Sequence, residues 1–294
     1  MATFTVFGDI HGRISLMLLL SRLVELRTGR KLDGVLQVGD FGAFPHVDRL
    51  DASTEKFARE DSDELGFSEY LSGCEEGSGL LASCDWSVAW CRGNHEDFEY
   101  LGGFRAPEAI DRWGKLLFVP DGTSLELAGL RVGALGGMAP RREERGRGKK
   151  ARKAFRRATL RTDPRCFTEG QAEKAFPSEA LEVLLTHAAP ETEVTPWGSK
   201  HLAGLAERVQ PRVHLFGHHH VAVDPREGPG GAMLVGLDHV EFHRGLLREK
   251  CWGLLELPES EAPRFTWGEA LGLPELITRE SYRALIPLVS AGLE

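Results

Sequence analysis

Aspartate, asparagine and histidine side chains stand beside glycine or threonine in five short clusters of the sequence. The clusters are Gly8-Asp9-Ile10-His11-Gly12, Gly39-Asp40-Phe41-Gly42, Gly93-Asn94-His95-Glu96, Thr186-His187 and Gly217-His218-His219-His220. Carboxylate, amide and imidazole groups suit Mn²⁺, iron or Zn²⁺. In Asp-x-His and His-x-His the two side chains are two residues apart, so an extended backbone presents both to one cavity. The glycines permit tight turns beside the ions.

Each cluster alone has a simpler explanation. A Gly-Asp pair is a common turn, and His187 alone would also fit a buried core histidine. His219, between two candidate ligands, should point away from them and have a supporting role. The occurrence of all five clusters in order, each after an apolar run, favours one shared metal site. An aspartate with its two oxygens on two cations would make that site dinuclear.

The apolar runs before the clusters predict the elements that must position them. We expect buried strands at 4–7, 35–38, 88–91, 132–135, 183–185 and 213–216. Apolar residues at helical spacing predict helices over 14–26 and 201–209. Strands that alternate with helices indicate a layered α/β fold. In such folds, sites form at the carboxyl ends of the strands, so clusters far apart in sequence can converge.

Composition narrows the class of protein. A chain of 294 residues with 41% hydrophobic residues is long enough for one sizeable core. The net charge of -8 argues against a wholly basic coat for nucleic acid. Five scattered cysteines indicate neither a disulfide framework nor a zinc ribbon, and fit a reducing compartment. With no signal peptide and no apolar run near 20 residues, we expect a cytoplasmic protein.

Three segments depart from the strand and helix alternation. Stretch 48–76 is acidic with apolar residues at helical spacing, which predicts helices whose charges form a solvated face. Stretch 141–165 is strongly basic and would attract a polyanion such as nucleic acid, unless it is only a charged surface loop. Its candidate substrate contacts are Arg152, Lys153, Arg156 and Arg157. We expect a catalytic domain over 1–257, with 258–294 as an extension packing on it.

The five clusters resemble, in order, the motifs GDxH, GD, GNH(E/D), H and GHxH of the calcineurin-like metallophosphoesterases. The resemblance implies a four-layer α/β/β/α sandwich with a dinuclear metal site at the carboxyl ends of the strands. Asp40 would bridge the ions. The first metal would be held by Asp9, His11, Asp40 and His220, and the second by Asp40, Asn94, His187 and His218. His95 would protonate the leaving oxygen; a residue that only orients a ligand is the alternative.

The activity implied is metal-dependent hydrolysis of a phosphoester. Two adjacent cations lower the pKa of a bridging water, and the resulting hydroxide would attack phosphorus in line. Mn²⁺ is the expected metal, with iron, Ni²⁺ or Zn²⁺ as alternatives. A non-catalytic binding module is a remote alternative, because members that lose activity usually lack ligands and here all are present.

Two subfamilies offer different substrates. Arg92 before Gly93-Asn94-His95 resembles the serine/threonine protein phosphatases, in which this arginine binds phosphate. Their GDxVDRG motif is absent after Gly39, and with it a second arginine and the aspartate that supports the catalytic histidine. Gly39-Asp40-Phe41 and stretch 67–73 instead resemble the RNA lariat debranching enzymes. We therefore favour phosphodiesters of nucleotides or nucleic acid, with a phosphomonoesterase or protein phosphatase as the alternative.

Overall fold

The computed structural model describes residues 1–73, 77–139, 163–177, 180–273 and 277–290. Fifteen strands lie within these ranges: β1 Ala2–Phe7, β2 Gly34–Gln37, β3 Val88–Trp90, β4 Glu108–Ala109, β5 Leu116–Phe118, β6 Thr123–Leu127, β7 Leu130–Leu135, β8 Val183–Thr186, β9 Val213–Phe216, β10 Val223–Glu227, β11 Met233–Gly236, β12 Phe242–His243, β13 Leu246–Leu247, β14 Trp252–Leu257 and β15 Arg264–Trp267. The six strands predicted from apolar runs are confirmed.

Eight α-helices lie in the same ranges: α1 Ile14–Thr28, α2 Ala52–Ala58, α3 Gly66–Ser72, α4 Gly77–Ser83, α5 Phe98–Leu101, α6 Glu169–Lys174, α7 Lys200–Val209 and α8 Tyr282–Ser290. The two helices predicted from periodicity correspond to α1 and α7. Ser199 caps the amino end of α7 by accepting a hydrogen bond from the backbone N–H of Leu202. Helix α1 ends at Gly29, whose φ of 66° is left-handed and favours glycine.

Two sheets form the centre of the fold. The first has the order β15-β14-β1-β2-β3-β5-β4, and the second has the order β10-β11-β9-β8-β7-β6. Strands β1, β2, β3 and β5 run parallel in the first sheet, as do β7, β8, β9 and β11 in the second. Parallel neighbours share an edge at which all of their carboxyl ends meet. The strands before the five clusters therefore end at two such edges.

Alternating side chains of these strands divide the core into layers. Phe4, Val6 and Leu36 of the first sheet pack against residues of the second sheet such as Val132 and Leu185. The opposite face of the first sheet is covered by α1, α3, α4 and α8, and that of the second sheet by α6 and α7. The predicted α/β/β/α sandwich is confirmed.

The acidic stretch forms helices α2 and α3, but its charges do not form a simple solvated face. Asp63 and Glu64 are buried in the turn between these helices. The guanidinium of Arg13, directly after the first cluster, donates to Asp61 Oδ2 over 2.9 Å and lies 3.2 Å from Glu64 Oε1. The expected solvated face is present at Asp48, Glu55 and Glu60, which are exposed, but not at Asp63 and Glu64, because helical spacing does not reveal which carboxylates lie near a buried arginine.

The residues after 257 add to both the sheet and the helical layer. Strand β15 pairs with β14 at the edge of the first sheet. Helix α8 packs on α1 and α4 through Ile286 and Val289. At its start, the Tyr282 hydroxyl donates to Asp63 Oδ2 over 2.6 Å. This hydrogen bond connects the last helix to the acidic turn beside Arg13.

Replacing Tyr282 by phenylalanine should lower the free energy of unfolding by about 1–3 kcal/mol, because a buried oxygen of Asp63 loses its donor. Tyr100→Phe is the matched control, since no hydrogen bond to the Tyr100 hydroxyl is formed within the described ranges. Urea unfolding followed by circular dichroism measures both. Equal stability of Tyr282→Phe and wild type would contradict this role of the hydroxyl.

Candidate metal centre

The five clusters converge between the carboxyl ends of the two sheets. One nitrogen or oxygen each from Asp9, His11 and His220 lies within 4.8 Å of the other two. A second group with the same spacing contains Asp40, His187 and His218. Asn94 joins the second group, because its Oδ1 lies 3.0 Å from His187 Nε2. All seven predicted ligands are therefore brought together, in two adjacent groups that each could hold a metal ion.

Four of these residues adopt a left-handed backbone although none is glycine. Their φ angles are 43° for His11, 50° for Asp40, 69° for His218 and 51° for His220. Such conformations are strained and persist only where the surroundings hold them. The backbone N–H groups of Ile10 and His11 both donate to the carbonyl of Asp40, which joins two of the turns. Four of the nine non-glycine residues with such angles in the described ranges are thus predicted ligands, and strain of this kind is typical of functional sites.

The two oxygens of Asp40 have different surroundings. Oδ1 accepts hydrogen bonds from the backbone N–H groups of Asn94 and His95, over 2.6 and 2.7 Å. Oδ2 lies 3.5 Å from His187 Nε2 and 3.8 Å from His11 Nε2, so it faces both groups. The expectation that each oxygen takes one cation does not fit this geometry. Oδ1 is used by the backbone, and a bridge would form through Oδ2 alone.

The ring of His187 shows why a cation suits the second group. Nδ1 lies 2.9 Å from the carbonyl of Val38, which only accepts, so Nδ1 carries the proton. Nε2 then faces the oxygens of Asn94 and Asp40. Burial works to lower the pKa of His187, but Asp40 and Asp9 raise it to about 9. Without an ion, this raised pKa favours a second proton, on Nε2, and a divalent cation would take the place of that proton.

The imidazoles of His11 and His218 are suited to binding a metal as neutral ligands. Burial lowers the pKa of His11 to about 4, although Asp40 opposes the shift, and burial likewise lowers that of His218 to about 4. A neutral ring offers a nitrogen lone pair without first losing a proton. Asp9 is fully buried, and its carboxylate accepts the N–H of His218. The residues present therefore fit a pair of divalent cations.

His239 and His219 support the ligands without belonging to either group. His239 packs on His220 with ring centres 4.1 Å apart, and its ring nitrogens contact Asp238 Oδ1 and Glu241 Oε2. His219 accepts a hydrogen bond from the N–H of Ala189 and packs against another ring. Sequence reasoning missed His239. The signal for it was the adjacent pair Asp238-His239, which follows strand β11 as Asp9 and His11 follow β1.

His95 lies beside the metal groups and is oriented by a carboxylate. Its Nδ1 is 2.8 Å from Asp51 Oδ2, and its ring centre is 5.6 Å from that of His11. Asp51 is fixed as the cap of α2, where it accepts the backbone N–H groups of Ser53 and Thr54. Burial works to lower the pKa of His95, but the hydrogen bond to Asp51 raises it above its ordinary value. Protonated His95 can therefore donate from Nε2.

This Asp51–His95 pair corrects the sequence analysis. The aspartate that supports the histidine was taken to be missing, because it does not follow Asp40 in a GDxVDRG motif. It is supplied instead by Asp51, eleven positions along the chain in the acidic stretch. Asp51 could not be found from motif spacing, since its contact with His95 depends on how α2 is placed.

Arg92 was predicted to bind the reacting phosphate, and its surroundings contradict that role. Its guanidinium lies 2.8 Å from Asp121 Oδ2 and donates to the carbonyls of Pro164 and Cys166. It borders a different cavity, which Phe98 and Phe104 also line. Arg92 therefore anchors the segment at 164–166 to the third cluster. Motif resemblance gave the right position in sequence but not the direction of the side chain.

Glu96 connects two of the turns that carry ligands. Its buried carboxylate accepts the backbone N–H groups of Phe41, Ala43 and Gly93, over 2.9, 2.6 and 3.1 Å. Burial raises the pKa of Glu96 to about 7. These bonds fix the turn after β2 against the turn after β3, and so fix Asp40 relative to Asn94 and His95.

A cavity of about 540 Å³ opens beside the metal groups. His11, Asp40, Asn94 and His95 form its inner side. The basic stretch was predicted to attract a polyanion, but 140–162 are outside the described residues, and with them Arg152, Lys153, Arg156 and Arg157. Arg165, which is described, pairs with Asp163.

Within the described ranges, every helix is too short or too polar to cross a membrane.

Several solved structures resemble this chain. The protein TT1561 of Thermus thermophilus shares 13% identity with a TM-score of 0.48, over 91% of this chain and 99% of that one. The sulfate thiohydrolase SoxB of the same species shares 15% identity with a TM-score of 0.45, over 99% of this chain and 60% of that one. GAP50 of Plasmodium shares 9% identity with a TM-score of 0.47, over 90% and 84%.

Comparison with curated proteins gives no match. The model of the calcineurin-like phosphoesterases matches residues 2–222, a range that contains all seven residues of the two metal groups and His95. Because this match covers most of the 294 residues and agrees with the sandwich and its metal groups, the chain belongs to the calcineurin-like phosphoesterase family.

Proposed function

We propose that this chain hydrolyses phosphodiesters with two divalent metal ions, of which Mn²⁺ is our choice. The observation that carries the proposal is the position of Asp40 Oδ2 between the two histidine-containing groups. Asp9, His11, Asp40 and His220 would hold one ion, and Asp40, Asn94, His187 and His218 the other. When bound, such a pair lowers the pKa of water and neutralises charge on phosphoryl oxygens.

His95 would donate the proton that the leaving oxygen needs. It lines the cavity in which a phosphoester would bind, and its Nδ1 is occupied by the contact with Asp51. Asp51 also favours the protonated ring, which is the form able to act as a general acid. Asp51 would therefore be a positioning residue for this step, and Glu96 a positioning residue for the turns that hold His95 and Asp40.

The charge of the cavity favours a diester over a monoester. A phosphomonoester near neutral pH carries more negative charge than a diester, so it gains more from an unpaired guanidinium. Among the described residues, the arginines lining the cavity are Arg13 and Arg279. Arg13 is bound to Asp61 and Glu64, and Arg279 lies 3.5 Å from Asp61. With both partly neutralised and Arg92 turned away, a singly charged phosphodiester is the better match.

Metal-stripped protein restored with Mn²⁺ should hydrolyse bis-(p-nitrophenyl) phosphate with a higher kcat/KM than p-nitrophenyl phosphate. We expect a preference of about 10-fold, equivalent to roughly 1.4 kcal/mol in the transition state. Nitrophenol release measures both reactions. A preference for the monoester would support a phosphomonoesterase instead, and no hydrolysis of either ester with Mn²⁺, Ni²⁺, Fe²⁺ or Zn²⁺ would contradict the proposed activity.

Asp40→Asn and His218→Ala should each lose bound metal and activity, because each removes part of a coordination shell. We expect fewer than two metal equivalents per chain by elemental analysis, and a loss of kcat of at least about 10³-fold. His201→Ala is the control, since His201 contacts Glu169 rather than either metal group. Two full equivalents in both ligand variants would show that the assigned residues do not bind metal.

His95→Ala should keep its metal and lose turnover by about 10²-fold or more with an alkyl leaving group, because such an oxygen depends on a proton donor. With nitrophenolate as the leaving group the loss should be smaller. Asp51→Asn should show the same dependence on the leaving group with a smaller loss, since it removes the orienting carboxylate and leaves the ring. Equal losses of His95→Ala on both substrates would remove His95 from proton donation.

A further inference from the structure

The cavity beside the metal centre has an outer wall with a different chemistry. Phe57 of α2, Phe242 of β12 and Arg279 before α8 line this wall. Phe242 and Arg279 lie beyond residue 222, where the match to the family model ends. The inner side thus consists of residues common to the family motifs, and the outer wall draws on parts of the chain outside the matched region. Such a wall is suited to recognising the part of a substrate that does not react.

Phe57 presents an aromatic ring that the protein core does not use. Its exposed fraction is 49%, although the ring lines a cavity. Removing apolar surface from water is favourable by about 25 cal/mol per Å², so covering this ring would contribute to the binding free energy of a ligand. Among the described residues, Lys56 has its Nζ 5.5 Å from the ring centre. A flat aromatic group is the partner that such a ring face fits best.

Arg279 and Phe242 are held in place by the segment around α8. The backbone N–H of Arg279 donates to Gly245, and its guanidinium donates to the carbonyl of Glu60 over 3.3 Å. Phe242 is stacked on the buried Tyr282, with ring centres 5.5 Å apart. The Arg279 side chain remains 46% exposed. Its N–H donors are therefore positioned, but not fully enclosed, at the mouth of the cavity.

The same wall disfavours a long polyanion. Glu60 and Asp61 lie on it, and the Asp61 carboxylate pairs with the guanidinium groups of both Arg13 and Arg279. Additional phosphates of a nucleic acid would meet these carboxylates, whereas an uncharged ring would not. The volume of about 540 Å³ is that of a small-molecule site. The wall therefore fits a single flat, polar, uncharged ring beside the reacting phosphate.

We infer that this wall binds the base of a small nucleoside phosphodiester, with Phe57 stacking on the ring and Arg279 donating to acceptors on its edge. A nucleobase joins an aromatic face to a hydrogen-bonding edge, which is the combination these two side chains recognise. Phe57 and Arg279 are then specificity-determining residues. The inference rests on the proposed phosphodiesterase activity and names the substrate class of the same site.

Two diesters with one leaving group test this assignment: the p-nitrophenyl ester of thymidine 5′-phosphate and ethyl p-nitrophenyl phosphate. Wild-type protein loaded with Mn²⁺ should prefer the thymidine ester in kcat/KM. Phe57→Ala should reduce the ratio of the two kcat/KM values by about 10-fold, within the range expected for loss of one base-stacking contact. Phe57→Leu, which keeps apolar bulk without a ring face, and Arg279→Gln should reduce the ratio in the same direction.

Leu288→Ala is the matched control, because Leu288 is 51% exposed and lies on α8 outside the cavity lining. Its ratio should equal that of wild type. An unchanged ratio in Phe57→Ala and Arg279→Gln, with both esters still hydrolysed, would overturn the base-binding wall and leave the phosphodiesterase intact. If wild type hydrolyses neither ester, the proposed activity fails, and the inference fails with it.

Discussion

The site depends on the position of one carboxylate oxygen, Asp40 Oδ2. The other oxygen of Asp40 is bound by two backbone N–H groups of the next cluster, so the carboxylate cannot rotate without losing both bonds. Oδ2 is thereby directed towards His11 on one side and His187 on the other. Each of the two groups draws its side chains from both sheets, and the two groups meet at this atom, which makes a two-metal site possible.

The surrounding fold maintains that geometry against local strain. Four of the predicted ligands have left-handed φ angles, which an isolated chain would not retain. The parallel strands fix where each turn begins, and Glu96 ties the turn of Asp40 to the turn of Asn94 through three backbone N–H groups. Next to His95, Asp51 caps a helix and orients the His95 ring at the same time. The hydrogen bonds that stabilise these turns and this helix therefore also set the geometry of the site.

Sequence patterns predicted the strands, a layered α/β fold and the convergence of the five clusters, because these depend on local periodicity and on where parallel strands end. The four-layer sandwich and the assignment of seven ligands came from the family resemblance. The patterns did not predict Asp51 or the direction of Arg92. Both depend on contacts between segments far apart in sequence, and the motif around Arg92 is compatible with a side chain turned either way. The use of Asp40 Oδ1 by the backbone was also missed, since a one-letter motif does not distinguish two oxygens.

Anomalous diffraction from crystals grown with Mn²⁺ tests the central claim most directly, because it locates each ion independently of activity. We predict two ions, one bound by Asp9, His11 and His220 and the other by Asn94, His187 and His218. Asp40 Oδ2 should ligate both, while Oδ1 keeps its backbone N–H donors. A single ion in the fully loaded protein, or two ions on separate oxygens of Asp40, would contradict the account.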